Sequence, residues 1–261
     1  MLLTAPFIFT HAMVRPPAPS AVHGIRSGGG PDPDFNALLA EHAAYVAALR
    51  DAGLTVTEQP PLDDFPDALF VEDVALTFPA GAILLRPGAP SRAGEVAHIA
   101  APLRDHHRTA LAMSGPGHVD GGDVLRLADR VLIGLSGRTD RAGAEELIGL
   151  LAQLGQRGEI AETPPGVLHF KTGCSLIDER TIFSLPQMAD IPAFAALTVV
   201  PVPDGETKAA NKLRINDVAL IGANFPKSRA IIEGLGIKTV TLPVEQIGRI
   251  DAGLSCMSLR W

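Results

Sequence analysis

The reactive side chains of this 261-residue sequence are few: two cysteines, eight histidines and a set of acids in uncommon contexts. Together they supply the parts of a metal-free hydrolase or transferase, which needs a nucleophile, a proton carrier and carboxylates to hold its substrate. Cys256 lies in Asp251-Ala252-Gly253-Leu254-Ser255-Cys256-Met257, where small residues allow close backbone approach. Cys174 lies in Lys171-Thr172-Gly173-Cys174-Ser175. By residue type alone, either thiol is more often a small buried apolar group than a nucleophile. His169 sits in an apolar run that reads as a strand, His106 and His107 at a helix end that reads as solvated, and His118 just before Val119-Asp120. Scattered histidines without close helical partners predict no metal site.

The acids carry more information. Pro66-Asp67-Ala68-Leu69-Phe70-Val71-Glu72-Asp73 places three acids at the start of an expected buried strand, and Asp120-Gly121-Gly122-Asp123 places two at the start of another. A buried carboxylate is costly unless it meets a cation or several donors. Acids facing a shared cavity would suit a guanidinium, which offers five N–H donors in one plane. Turn and capping chemistry is the simpler account of each acid by itself.

The elements that must position these residues alternate. A strand over Pro6–Val14 leads to a Gly- and Pro-rich loop over Val22–Pro33. Asp34 then caps a helix whose apolar residues Phe35, Leu38, Leu39, Val46 and Leu49 recur at helical spacing before Gly53 ends it. Leu54–Glu58 reads as a strand. Hairpins are expected over Ala68–Phe78 with Gly81–Arg86, His118–Leu127 with Arg130–Leu135, Val167–Ile177 with Thr181–Leu185, and Asn211–Ile215 with Val218–Ile221. Helices are expected over Arg92–Asp105, Arg141–Leu154 and Ser228–Leu235, and final strands over Ile237–Leu242 and Gly253–Leu259. The hairpins recur at intervals of roughly 40 to 50 residues, the spacing of repeat and propeller architectures. Five α/β units closed in a ring would gather loops from every repeat around one cavity, with the N-terminal strand completing the fifth unit beside the C-terminal strand. No linker interrupts them, so residues 1–261 read as one domain. An open α/β sheet is the alternative on pattern alone.

Composition narrows the partners. With a formal net charge of −7 and pI ≈ 5.6, the chain lacks the basic stripe of a duplex nucleic-acid binder. Aromatics are 5% of residues, so the core must be aliphatic. Two lone thiols exclude a disulfide scaffold and suit a reducing compartment, and neither a signal peptide nor a membrane span is legible. A cytoplasmic protein is expected. A homodimer is compatible with an apolar outer face on a ring, although no stripe singles one out.

Four runs together resemble the dimethylarginine dimethylaminohydrolases: Phe65-Pro66-Asp67-Ala68-Leu69-Phe70-Val71-Glu72-Asp73, Leu85-Arg86-Pro87-Gly88-Ala89-Pro90-Ser91-Arg92, Asp120-Gly121-Gly122-Asp123-Val124-Leu125 and Gly134-Leu135-Ser136-Gly137-Arg138-Thr139. The His169 and Cys256 segments follow in matching order, so the resemblance spans Phe7 to Met257. It implies the five-fold α/β propeller (pentein) of the guanidine-modifying superfamily. It implies hydrolysis of Nω-methylated L-arginine to L-citrulline and a methylamine, with a small-molecule substrate and neither metal nor organic cofactor. By resemblance, Cys256 is the nucleophile, His169 the general acid/base and Asp120 the carboxylate that orients the imidazole. Asp73, Glu72 and Asp67 match the residues that hold the guanidinium and its polar neighbours. Arg92 and Arg138 match a clamp on the α-carboxylate, and Ile25 and Ile250 match positions whose backbone carbonyls face the substrate. Two positions depart from some relatives: Asp120 stands where some bacterial relatives carry Glu, and Ser255 where some carry a second Cys.

Other members of that superfamily define the alternatives. Arginine deiminases resemble this core plus an inserted helical domain, for which the filled intervals here leave no place, and the amidinotransferases are also longer. A non-catalytic pentein binding protein would be expected to lack the reactive residues that this chain retains.

Overall fold

The structure, a computed structural model, describes residues 5–261. The first four residues, part of the 1–261 span and of the segment read for a leader, lie outside the described residues. Fifteen short strands form five separate three-stranded sheets. The first joins His11–Val14 in parallel to Thr55–Glu58 and antiparallel to Ser258–Arg260, so strands from opposite ends of the sequence share one blade. The second takes Ala75–Phe78, Gly81–Leu84 and Ala110–Ala112; the third takes Val124–Arg126, Val131–Leu135 and Gly158–Glu162. Cys174–Leu176, Thr181–Ser184 and Thr198–Pro201 form the fourth, and Leu213–Ile215, Val218–Gly222 and Lys238–Leu242 the fifth. Each blade pairs its middle strand antiparallel to an inner strand and parallel to an outer one. This is the five-fold α/β repeat expected from the spacing.

A parallel pair needs a crossover, and helices supply it in four blades: Phe35–Asp51, Ala97–His106, Arg141–Gln153 and Pro226–Gly234. The first starts where expected, with the Asp34 side chain accepting from the Ala37 N–H at 2.7 Å, and it ends before Gly53 at φ +92°. Its Leu38, Tyr45, Val46 and Leu49 are buried, and the Tyr45 hydroxyl meets Ser258 Oγ at 2.6 Å, tying the helix to the closing strand. The fourth blade has two 3₁₀ turns instead, Pro186–Met188 and Pro192–Phe194, each opened by a proline that a longer helix would not tolerate in its interior.

The inner strands start later than the sequence pattern suggests. Strands expected from Ala68, His118, Val167, Asn211 and Gly253 begin at Ala75, Val124, Cys174, Leu213 and Ser258. The residues before each form a 3₁₀ turn: Val71–Val74, Gly121–Asp123, Phe170–Thr172, Thr207–Asn211 and Leu254–Met257. Bonds from i+3 to i close them, such as Asp123 N–H to the Asp120 carbonyl at 3.0 Å and Thr172 N–H to the His169 carbonyl at 2.9 Å. His169 therefore precedes a turn instead of lying on a strand. The turns touch in series, the first against both the second and the last, the second against the third, and the third against the fourth. Apolar alternation could not reveal them, because buried turn residues and buried strand residues share the same composition. His107 is a second correction: it is buried, with its ring 4.9 Å from that of Trp261, because the helix end packs on the closing strand rather than facing solvent.

The turns approach so closely that Gly121 has no room for a side chain. A Cβ there would lie 1.9 Å from the backbone carbonyl oxygen of Glu72. Backbone cannot swing aside, so Gly121→Ala should destabilise the protein by about 2 kcal/mol or more. Thermal melting followed by circular dichroism checks this, and a parental melting temperature would show that the turns are not in contact.

Candidate functional site

The ring of turns surrounds a pocket of about 120 Å³ lined by Ile25, Asp67, Asp73, Arg92, Arg138, His169, Ile250 and Cys256, together with Phe70 and Leu168. Every residue singled out by resemblance lines it except Glu72 and Asp120. Glu72 faces the other side of its turn, where it accepts from Ser255 Oγ at 2.9 Å and pairs with Lys171 and Arg260 at 2.6 and 2.7 Å. It thus anchors the residue next to Cys256 instead of meeting the pocket.

Asp123, in the same run as Asp120, is what grips the imidazole. Its Oδ2 lies 3.1 Å from His169 Nδ1 and accepts from Ser136 Oγ and Thr139 Oγ1, both at 2.7 Å, while its Oδ1 accepts from Phe170 N–H at 2.8 Å. Asp120 Oδ2 stands 3.8 Å from Nε2, on the reactive side of the ring. The same Oδ2 lies 3.5 Å from the Arg138 guanidinium, while Asp120 Oδ1 accepts from Gly88 N–H at 2.6 Å. The expectation that Asp120 alone orients the histidine assigned to one acid what the geometry divides between two. Both acids were visible in the Asp-Gly-Gly-Asp run, but the turn that aims them was not. Gly122 between them is also required: a Cβ there would lie 2.9 Å from both Asp73 Oδ1 and the His169 ring.

Arg92 is more occupied than a free carboxylate clamp would be. It donates to Asp73 Oδ2, to both oxygens of Glu95 and to the backbone carbonyls of Asp67 and Phe70. Arg138 meets only Asp120 among described carboxylates. Asp67 Oδ1 accepts from the Ile25 N–H at 2.9 Å, and Asp251 Oδ2 accepts from the Ser27 N–H and hydroxyl at 2.5 and 2.7 Å. Two acids on opposite sides of the pocket thus hold the glycine-rich loop down. Asp251 adopts a left-handed φ of +55° to do so. Neither Glu95 nor Asp251 carried a sequence signal. Asn211 is a third unannounced residue: its Oδ1 accepts from the Ser255 N–H at 3.1 Å and its Nδ2 stands 3.9 Å from Cys256 Sγ.

Electrostatics follow from this packing. Burial, then the charges of Glu72 and Asp73, push the Cys256 thiol up to about 12. Burial opposes the His169 imidazolium, but the Asp123 hydrogen bond and the charges of Asp73, Asp123 and Asp120 outweigh it and raise the group to about 9. Burial and neighbouring Asp73 lift Asp120 to about 6. Burial also disfavours charge on Asp73, yet Arg92 holds it below the usual carboxylate range. The resting pair is a thiol beside an imidazolium. Asp73, Asp120 and His169 present ligand atoms within 4.8 Å of one another. Asp73 already spends its oxygens on Gly122 N–H and Arg92, however, and an imidazolium cannot ligate. As protonated and hydrogen-bonded here, the cluster leaves a metal ion few free ligand atoms.

Three kinds of comparison bear on the chain as a whole. The family model described as "Arginine deiminase" matches residues 48–212. An N(G),N(G)-dimethylarginine dimethylaminohydrolase of Pseudomonas aeruginosa is 33% identical over 97% of this chain and 100% of its own length. Its counterpart in Streptomyces coelicolor is 31% identical over 95% and 96% respectively. The P. aeruginosa enzyme, solved as a Cys-to-Ser mutant complexed with citrulline, superposes with a TM-score of 0.95 over 98% of this chain and all of its own. At 15% identity, the N-terminal domain of the arginine dihydrolase ArgZ shares the fold with a TM-score of 0.81 over 96% of this chain and 97% of its own. The chain therefore belongs to the dimethylarginine dimethylaminohydrolase family of the pentein superfamily.

Proposed function

We propose that the protein hydrolyses Nω-methylated L-arginine, as asymmetric dimethylarginine or monomethylarginine, to L-citrulline and dimethylamine or methylamine through a covalent intermediate on Cys256. The observation that carries this reading is the convergence of Cys256, the Asp123-held His169 and the Arg92-paired Asp73 on one pocket. The relatives' names and the citrulline complex support the substrate class. So does a family structure described as an adduct with S-methyl-L-thiocitrulline.

Each residue then has a task. Asp73 and Asp120 face the guanidinium, a poor electrophile until it is held rigidly against a nucleophile. Arg138, with the remaining Nη1 proton of Arg92, receives the α-carboxylate. Asp67 fastens the loop that brings Ile25 over the substrate, and Ile250 closes the opposite wall. The acids that suppress the thiolate in the empty pocket are offset by the bound cation, so Cys256 ionises mainly once substrate is present. The thiolate adds to the guanidinium carbon. His169 gives its proton to the departing amine as the C–N bond breaks, leaving a thiouronium on Cys256. Water then attacks the same carbon while His169 accepts its proton, and rupture of the C–S bond releases citrulline and the thiolate. Turns from all along the sequence meet at this pocket, which supports a single catalytic unit. The two unpaired thiols suit a reducing cytoplasm, the compartment we assign. Among the described residues, no helix is long and apolar enough to cross a membrane.

A panel of arginine, monomethylarginine and dimethylarginine with citrulline readout tests the assignment. Methylated substrates should be preferred, and a preference for arginine would move the protein to the deiminase reaction. Cys256→Ser should lose turnover while melting as the parent does; normal turnover would remove Cys256 as nucleophile. Asp123→Asn takes a negative charge from the imidazolium and so lowers its pKa. The alkaline limb of kcat/KM, set by a group at about 9, should therefore shift to lower pH. An unmoved limb would mean that His169 is not the acid. Arg138→Ala should weaken kcat/KM by about 2 kcal/mol through the lost charge-assisted pair, and an unchanged value would place the α-carboxylate elsewhere.

A further inference from the structure

A second cavity, of about 130 Å³, opens on the other side of the same turns. Glu72, Lys171 and Ser255 line it, whereas Asp73, His169 and Cys256 line the catalytic pocket. Its charge runs against that of the chain. The sequence carries a formal net charge of −7, yet this cavity is lined by Arg126, Lys171, Lys212, Arg214 and Arg260, with Glu72 the only acid lining it among the described residues.

Glu72 neutralises only part of that charge, through Lys171 and Arg260. Lys212 Nζ donates to the Leu176 carbonyl, and Arg214 donates to backbone carbonyls, including those of Ile177 and Val218. Neither has a carboxylate partner among the described residues. The Arg126 side chain makes no hydrogen bond or ion pair among the described residues; its guanidinium lies 5.9 Å from the centre of the Phe78 ring. The Arg260 Nε–H is buried with no acceptor. Burial disfavours the charged form of Arg126, and burial together with the Arg214 charge lowers Lys212 to about 7. Cations gathered in a half-buried space with less counter-charge than their own are costly, and an anion placed among them relieves that cost.

We propose that this cavity binds a small carboxylate carrying an apolar body. The head group follows from the unpaired guanidinium fork of Arg126 and the neighbouring donors. The apolar body follows from the walls, where Phe7, Phe9, Phe78 and Leu213 leave surface that a bare inorganic ion would not cover. A cationic ligand is rejected by charge, and a neutral one leaves the cations unpaired.

Calorimetric titration of the full chain with benzoate, using benzylamine as the cationic control, tests this. Benzoate should bind saturably with a Kd below about 1 mM, and benzylamine should not bind. Arg126→Gln should weaken benzoate by about tenfold, with Arg214→Gln as a second variant on another strand; parental melting curves establish that both fold. Arg138→Gln, on the catalytic pocket, should leave benzoate affinity unchanged. No saturable binding, equal binding of benzylamine, or loss of affinity in Arg138→Gln but not in Arg126→Gln would each overturn the proposal. None of these readouts depends on the hydrolase reading.

Discussion

Asp67, Glu72, Asp73, Asp120 and Asp123 are all buried around a single ring of turns, and that crowding governs the rest of the structure. Like charges so placed persist only if each is matched by a cation or by several donors. Arg92 answers Asp73, Lys171 and Arg260 answer Glu72, the Ile25 N–H answers Asp67, and two hydroxyls, a backbone N–H and the His169 ring answer Asp123. Asp120 meets the Gly88 N–H and lies near Arg138 and His169, yet burial and the charge of Asp73 still raise its carboxyl. The site is thus short of one positive charge on the side that faces the pocket. A guanidinium supplies charge and donors together, so recognition of the substrate completes a balance that the empty pocket leaves open.

The same balance bears on the chemistry proposed for Cys256 and His169. The acids raise both Cys256 and His169, favouring the proton on each. A proton on His169 is useful to a leaving amine, whereas a proton on Cys256 obstructs attack. Only the substrate's charge separates the two effects, because it offsets the acids beside the thiol while Asp123 keeps its grip on Nδ1. In the resting protein, electrophiles that carry no positive charge therefore meet a thiol, a poor nucleophile.

Much of this was legible before any coordinates. Repeat spacing pointed to a five-unit ring closed by strands from opposite ends of the sequence, and Asp34 and Gly53 marked the first helix within a residue of its ends. The family motifs placed eight of the ten singled-out residues on one pocket wall. Orientation was not legible. Each turn beside the ring consists of buried residues indistinguishable by hydropathy from the strand that follows. A strand reading also cannot say that Glu72 and Asp73 line different cavities, or that Asp123 rather than Asp120 holds Nδ1. Partners distant in sequence, such as Glu95 for Arg92 or Asp251 for Ser27, become visible only once the chain is folded.

The blade shared by His11–Val14 and Ser258–Arg260 has a consequence for how activity arises. The turn that carries Cys256 leads directly into Ser258–Arg260, so the proposed nucleophile is seated only when two segments separated by nearly the whole sequence find each other. Such long-range pairing is slow to form and is among the contacts that cost most in chain entropy. A chain in which the other four blades have formed would still hold its thiol away from His169 and the acids. Competence is therefore acquired in a single event, the closing of the ring, and lost in the same event when that blade opens.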